Sequence, residues 1–61
     1  SKPMDIQNQI NGVKTLLDQA ETDYQHSMAA GDWEACAFHK NRVSSYRREI
    51  GKLVKQKLAQ N

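Results

Sequence analysis

Gly31-Asp32 falls midway between two apolar stripes of heptad spacing, and no other feature narrows the fold as much. Glycine suits the left-handed residue that closes a helix. Aspartate suits the N-cap of the next one, where its carboxylate accepts backbone N–H bonds. Ahead of this dipeptide, Ile6, Ile10, Val13, Leu17, Ala20 and Tyr24 recur at spacings of 4, 3, 4, 3 and 4. Behind it, Cys36, His39, Val43, Tyr46, Ile50, Leu53 and Lys57 recur at 3, 4, 3, 4, 3 and 4. That period belongs to helices meeting along a seam, and strand alternation does not fit it. The fold predicted is all-α: an antiparallel two-helix hairpin with arms over about 3–30 and 32–59, one domain across residues 1–61.

Pro3 suits a first helical turn, and Asp5 suits the positive end of a helix. Each arm of about 27 residues would run roughly 40 Å at 1.5 Å per residue. Asn11-Gly12 is a turn-type dipeptide. The heptad register passes through it unshifted, so an unbroken helix is expected there, at a cost of about 1 kcal/mol relative to alanine. Pairing outward from Gly31 places Tyr24 near Cys36 and His39, and Leu17 near Val43 and Tyr46. Ile10 then falls near Ile50, and Ile6 near Leu53 and Lys57.

Sixty-one residues, 38% of them hydrophobic, are few for a self-sufficient core. Chains of this size commonly rely on a disulfide, a metal or a partner. Cys36 is the single cysteine, which excludes an internal disulfide and fits a reducing compartment. Met4, Leu16, Met28, Trp33, Phe38, Val54 and Leu58 all miss the seam. Leu16 widens the first stripe, and Val54 with Leu58 widens the second. A stripe too wide for one neighbour calls for a second neighbour. The expectation is a homo-oligomer, first a twofold dimer forming a four-helix bundle, with Leu16, Leu17, Phe38, Val54 and Leu58 as the self-association set. Trp33 is expected to cover the hairpin tip against Met28 or Ala29. Gly12 and Gly51 fall at one level beside the seam, read either as tolerated surface glycines or as a point of close approach by another protomer. No apolar run is long enough to span a membrane, and no n-region and h-region pattern is visible, so a cytoplasmic protein without membrane association is expected.

The net charge of +2 is unevenly placed. Residues 1–31 carry two basic and four acidic groups, net −2; residues 32–61 carry seven basic and three acidic, net +4. This asymmetry either pairs the arms or leaves one basic outer surface. Arg48, Lys52 and Lys55 follow at i, i+4 and i+7. Lys40 and Arg47 lie seven apart on another flank, with Arg42 nearby. Such a set can contact phosphates of RNA or DNA without reading bases. It also serves as a solvated face, with Glu49 interrupting it and the cations favourable towards a helix C-terminus. A third use is an anionic-ligand site built at protomer interfaces from Tyr46, Arg47 and Arg48. Tyr24, Trp33, Phe38 and Tyr46 are too dispersed for a base-stacking platform.

Cys36 and His39 share a helix face, with His26 across the turn. One chain thus offers three metal ligands at most where tetrahedral zinc takes four, and no metal or cofactor is expected. His39 is read as a satisfied core histidine bonded to Tyr24. Cys36 and His39 lack the orienting third group and oxyanion site that a nucleophile pair needs, and a rod this small offers little pocket. A non-enzymatic protein is therefore expected.

Asp32-Trp33-Glu34-Ala35-Cys36-Ala37, followed by Lys40-Asn41 and Val43, resembles the UVR motif, a short helical hairpin of bacterial excision-repair and protease-adaptor proteins. Asp32, Trp33, Glu34 and Ala37 match its second helix. Cys36 replaces an alanine, Lys40-Asn41 stands where Arg-Asp is usual, and Val43 takes an isoleucine place. Gly31 and His39 depart from apolar positions of the motif. The resemblance spans roughly residues 20–46 and implies protein–protein association rather than catalysis. The layout as a whole is also similar to Rop-type plasmid regulators, hairpins that dimerise into RNA-binding bundles, though no residue-level match carries that likeness. The reading expected first is a self-associating interaction or regulatory protein with a protein partner. Next comes an RNA- or DNA-binding dimer, and third a sequestering oligomer.

Overall fold

The computed structural model describes the backbone of residues 3–60 and the side chains of residues 5–60. Two helices, α1 (Pro3–Ala30) and α2 (Trp33–Ala59), pack against each other as a hairpin. Its Cα positions extend 45 × 14 × 11 Å. The arms are the predicted ones, and α1 runs unbroken through Asn11-Gly12.

The turn works by a division of labour between two neighbours. Gly31 has φ +69°, the left-handed conformation that costs an L-residue a Cβ clash. Its N–H donates to the Met28 carbonyl at 3.1 Å, and the Asp32 N–H donates to the Ser27 carbonyl at 3.0 Å. That bond pair is a Schellman motif, and it occupies carbonyls that the end of α1 would otherwise leave open. Asp32 then opens α2: its Oδ1 accepts from the Ala35 N–H at 3.1 Å, and its carbonyl accepts from Cys36 N–H at 2.9 Å. At the far end the Gln60 N–H is shared between the Gln56 and Lys57 carbonyls.

The seam follows the heptad stripes. Ile6, Ile10, Ala20, Cys36, Val43 and Leu53 are buried, and Val13, Leu17, Tyr24, His39, Tyr46, Ile50 and Lys57 are half-buried. Ile6, Ile10 and Leu53 form a buried apolar cluster, with Val13 packed on it. Lys57 Nζ donates to Gln7 Oε1 across the seam at the open end. One buried side chain extends the first stripe beyond its apolar members. Ser27, three residues past Tyr24, is buried, with its Oγ donating to the Asp23 carbonyl at 2.9 Å.

Candidate functional site

Each helix presents two flanks beside the seam, and the cross-arm ion pairs identify them. On one flank Arg47 Nη2 donates to Glu21 Oε2 at 3.1 Å. On the other, Arg42 Nη1 donates to Asp23 Oδ2 at 2.9 Å. Both join a base of α2 to an acid of α1. Of the two uses the charge asymmetry allowed, pairing of the arms is therefore present.

The Arg47 flank carries a shallow open groove of about 270 Å³. Glu21, Tyr24 and Gln25 line it from α1, and Lys40, Val43, Ser44 and Arg47 from α2. Heptad offsets extend this flank along the rod. Lys14 and Met28 lie seven residues either side of Glu21, and Asp18 lies seven before Gln25. Trp33 precedes Lys40 by seven, Val54 follows Arg47 by seven, and Ala37, Gly51 and Leu58 lie on the Ser44 line. The flank is thus apolar at the turn, through Met28 and Trp33, charged in the middle, and apolar again at the open end, through Val54 and Leu58. Trp33 is 70% exposed and Leu58 67% exposed.

The opposite flank holds a tighter polar cluster. Arg42 Nη1 also lies 2.9 Å from His39 Nδ1, and the guanidinium carbon sits 5.9 Å from the Tyr46 ring centroid. A guanidinium only donates, so Nδ1 accepts and the His39 proton belongs on Nε2. The Arg42 bond, helped by one from Gln19, holds the Asp23 carboxyl below the usual carboxylate range. Asp23 and Tyr46 in turn hold the Arg42 guanidinium above its ordinary value. Phe38, 63% exposed, stacks edge-on against His39 with ring centroids 5.2 Å apart. Leu16 is the other large apolar side chain exposed on this flank.

Two expectations, the partner of His39 and the cover over the hairpin tip, are corrected by this geometry. His39 is satisfied by Arg42, not by Tyr24, because the long guanidinium reaches back one helical turn. Trp33 leaves most of its ring in solvent, so it does not seal the hairpin tip. Leu17 is half-buried in the seam, whereas Leu16, Phe38, Val54 and Leu58 stay exposed. Met4 lies outside the described side chains. The six basic candidates point three ways. Lys40 and Arg47 border the groove, Arg42 is held on the opposite flank, and Arg48, Lys52 and Lys55 are exposed away from the groove. Within one chain Tyr46, Arg47 and Arg48 do not converge, since Arg47 binds Glu21, Arg48 Nη2 donates to Ser45 Oγ, and Tyr46 lies under Arg42. Neither Gly12 nor Gly51 has any atom within 4 Å of where a Cβ would sit.

Among the described residues no three His, Cys, Asp or Glu side chains gather as a metal site, and no helix is long and apolar enough to cross a membrane. Sequence reasoning missed Glu21 and Asp23 as cross-arm anchors. Their signal was present, since each lies one residue to the side of a seam position. No family model, no curated protein and no solved structure matches this chain.

Proposed function

We propose that this chain is a self-associating interaction protein, a hairpin that dimerises into a four-helix bundle and acts by protein–protein association, without catalysis. The observation that carries the reading is the exposure of six large apolar side chains, Leu16, Met28, Trp33, Phe38, Val54 and Leu58, on a hairpin whose buried apolar cluster, among the described residues, is Ile6, Ile10 and Leu53. Single exposed hydrophobes are ordinary on a protein surface. Here they line both flanks of the seam, at positions where a neighbouring helix packs in a bundle. The UVR-type resemblance of Asp32-Trp33-Glu34 and Ala37 favours the same class of function. Light scattering on the full chain at micromolar concentration tests it. A particle of two chains, reduced to one by Trp33→Ser with Leu58→Ser while helicity persists, supports the reading. A single chain before any substitution defeats it.

A second reading rests on Arg48, Lys52 and Lys55. They form an exposed basic run on α2, and the ion pairs among the described residues engage Arg42 and Arg47 instead. Such a run binds polyanions through phosphate contacts with steep salt dependence. Retention of a random-sequence RNA at low salt, lost at about 200 mM salt and on Arg48→Glu with Lys52→Glu, would support it.

A further inference from the structure

We propose that the occupant of the groove-bearing flank is a second copy of this chain, docked with both turns at the same end, so that α1 of each protomer lies over α2 of the other. This rests on the self-association reading and adds the face and the orientation.

The choice of face follows from what each flank exposes. The groove flank carries Met28, Trp33, Val54 and Leu58, and the opposite flank carries Leu16 and Phe38. The groove flank also has small residues, Ala37, Ser44 and Gly51, at successive heptads of α2, which let a helix approach. The hairpin presents a face 45 by 14 Å between Cα positions. With side chains added, this is comparable to the ~800 Å² per partner of a standard interface.

The choice of orientation follows from charge. On this flank α1 offers Lys14, Asp18 and Glu21, and α2 offers Lys40 and Arg47 with no acid. A twofold dimer with turns at opposite ends lays α2 along α2. It sets Arg47 against Arg47 of the other copy and Asp18 close to its own copy, with Lys14 near the partner's Glu21 as the one attractive pairing. Like charges brought together at an interface disfavour that arrangement. With turns at the same end, α1 crosses α2 of the partner at matching levels. The seam pairs positions whose numbers add to about 63, as Ile10 and Leu53 do within their cluster. Asp18 then falls opposite the partner's Ser44 and Arg47, and Glu21 opposite the partner's Lys40; these attractive pairings outnumber the one like-charge approach, of Lys14 to the partner's Arg47. Met28 falls opposite the partner's Trp33 at the turn end, and at the open end Val54 and Leu58 lie over the partner's Gln7 and Asn11. Apolar groups thus close the turn end of an alternating charged middle.

Disulfide trapping tests this on the full chain. In a Cys36→Ala background, one chain carries Asp18→Cys and another carries Ser44→Cys. Both positions are exposed, so the hairpin itself is not disturbed. Mixed under mild oxidation, the two chains are expected to form mainly the heterodimeric disulfide. The Asp18→Cys chain alone is expected to cross-link little. Efficient cross-linking of the Asp18→Cys chain with itself would overturn the orientation. A dimer by sedimentation that traps no disulfide in either arrangement would overturn the face. Sedimentation as a single chain would defeat the self-association reading instead, which separates the two failures.

Discussion

Arg42 reaches across the seam to place Nη1 2.9 Å from Asp23 Oδ2, and the same nitrogen lies 2.9 Å from His39 Nδ1. One guanidinium thus joins the two helices and satisfies a half-buried histidine. Because this bond lowers the Asp23 value in the folded chain, its stabilisation is present above the ordinary carboxylate value of about 4 and fades as pH falls through the lowered value. Acid unfolding followed by circular dichroism should therefore steepen below about pH 4. Arg42→Gln should flatten that part of the profile. An unchanged profile would mean the pair contributes nothing, as solvent-exposed ion pairs often do.

The turn predicts two separate losses. Gly31→Ala places a Cβ on a left-handed residue with open space around it, so the cost is backbone strain alone, about 1–2 kcal/mol. Asp32→Ala removes the acceptor for the Ala35 N–H and should cost about 1 kcal/mol. Thermal melts at one fixed protein concentration check both, since association raises apparent stability with concentration.

Gly12 gives the opposite sign. It lies inside α1, exposed, with nothing where a Cβ would go. Gly12→Ala should stabilise the helix by about 1 kcal/mol and leave the particle mass unchanged, because it sits on the flank away from the groove. A mass change would place an interface at Gly12 after all.

Core truncation should separate folding from association. Leu53→Ala removes a buried side chain packed among Ile6 and Ile10 and should cost about 2–5 kcal/mol of stability. Leu58→Ala, exposed in the hairpin, should alter mass against concentration far more than helicity at high concentration.

The arms, the seam and the turn were legible because each rests on local chemistry: a 3.5-residue period, a residue tolerant of positive φ, and an N-cap carboxylate. Burial of Ile6, Ile10 and Leu53 followed from spacing alone. The partners of Arg42 and Arg47 did not, because a cross-arm ion pair depends on the register of two helices and on side chains that reach a full turn. Trp33 shows the same limit from the other side. Its place beside the N-cap was readable, but whether a ring folds back onto the tip depends on tertiary neighbours, and in one hairpin it stays in solvent. Ser27 was passed over as polar, although the stripe runs through it and a bond to its own helix satisfies it.

Sedimentation equilibrium of the full chain from about 1 to 100 μM decides whether a second copy covers the exposed apolar flanks of one hairpin. Self-association should make the mass converge on twice the 7.0 kDa of one chain as concentration rises, with dissociation on dilution. A folded particle of one chain at every concentration would contradict it.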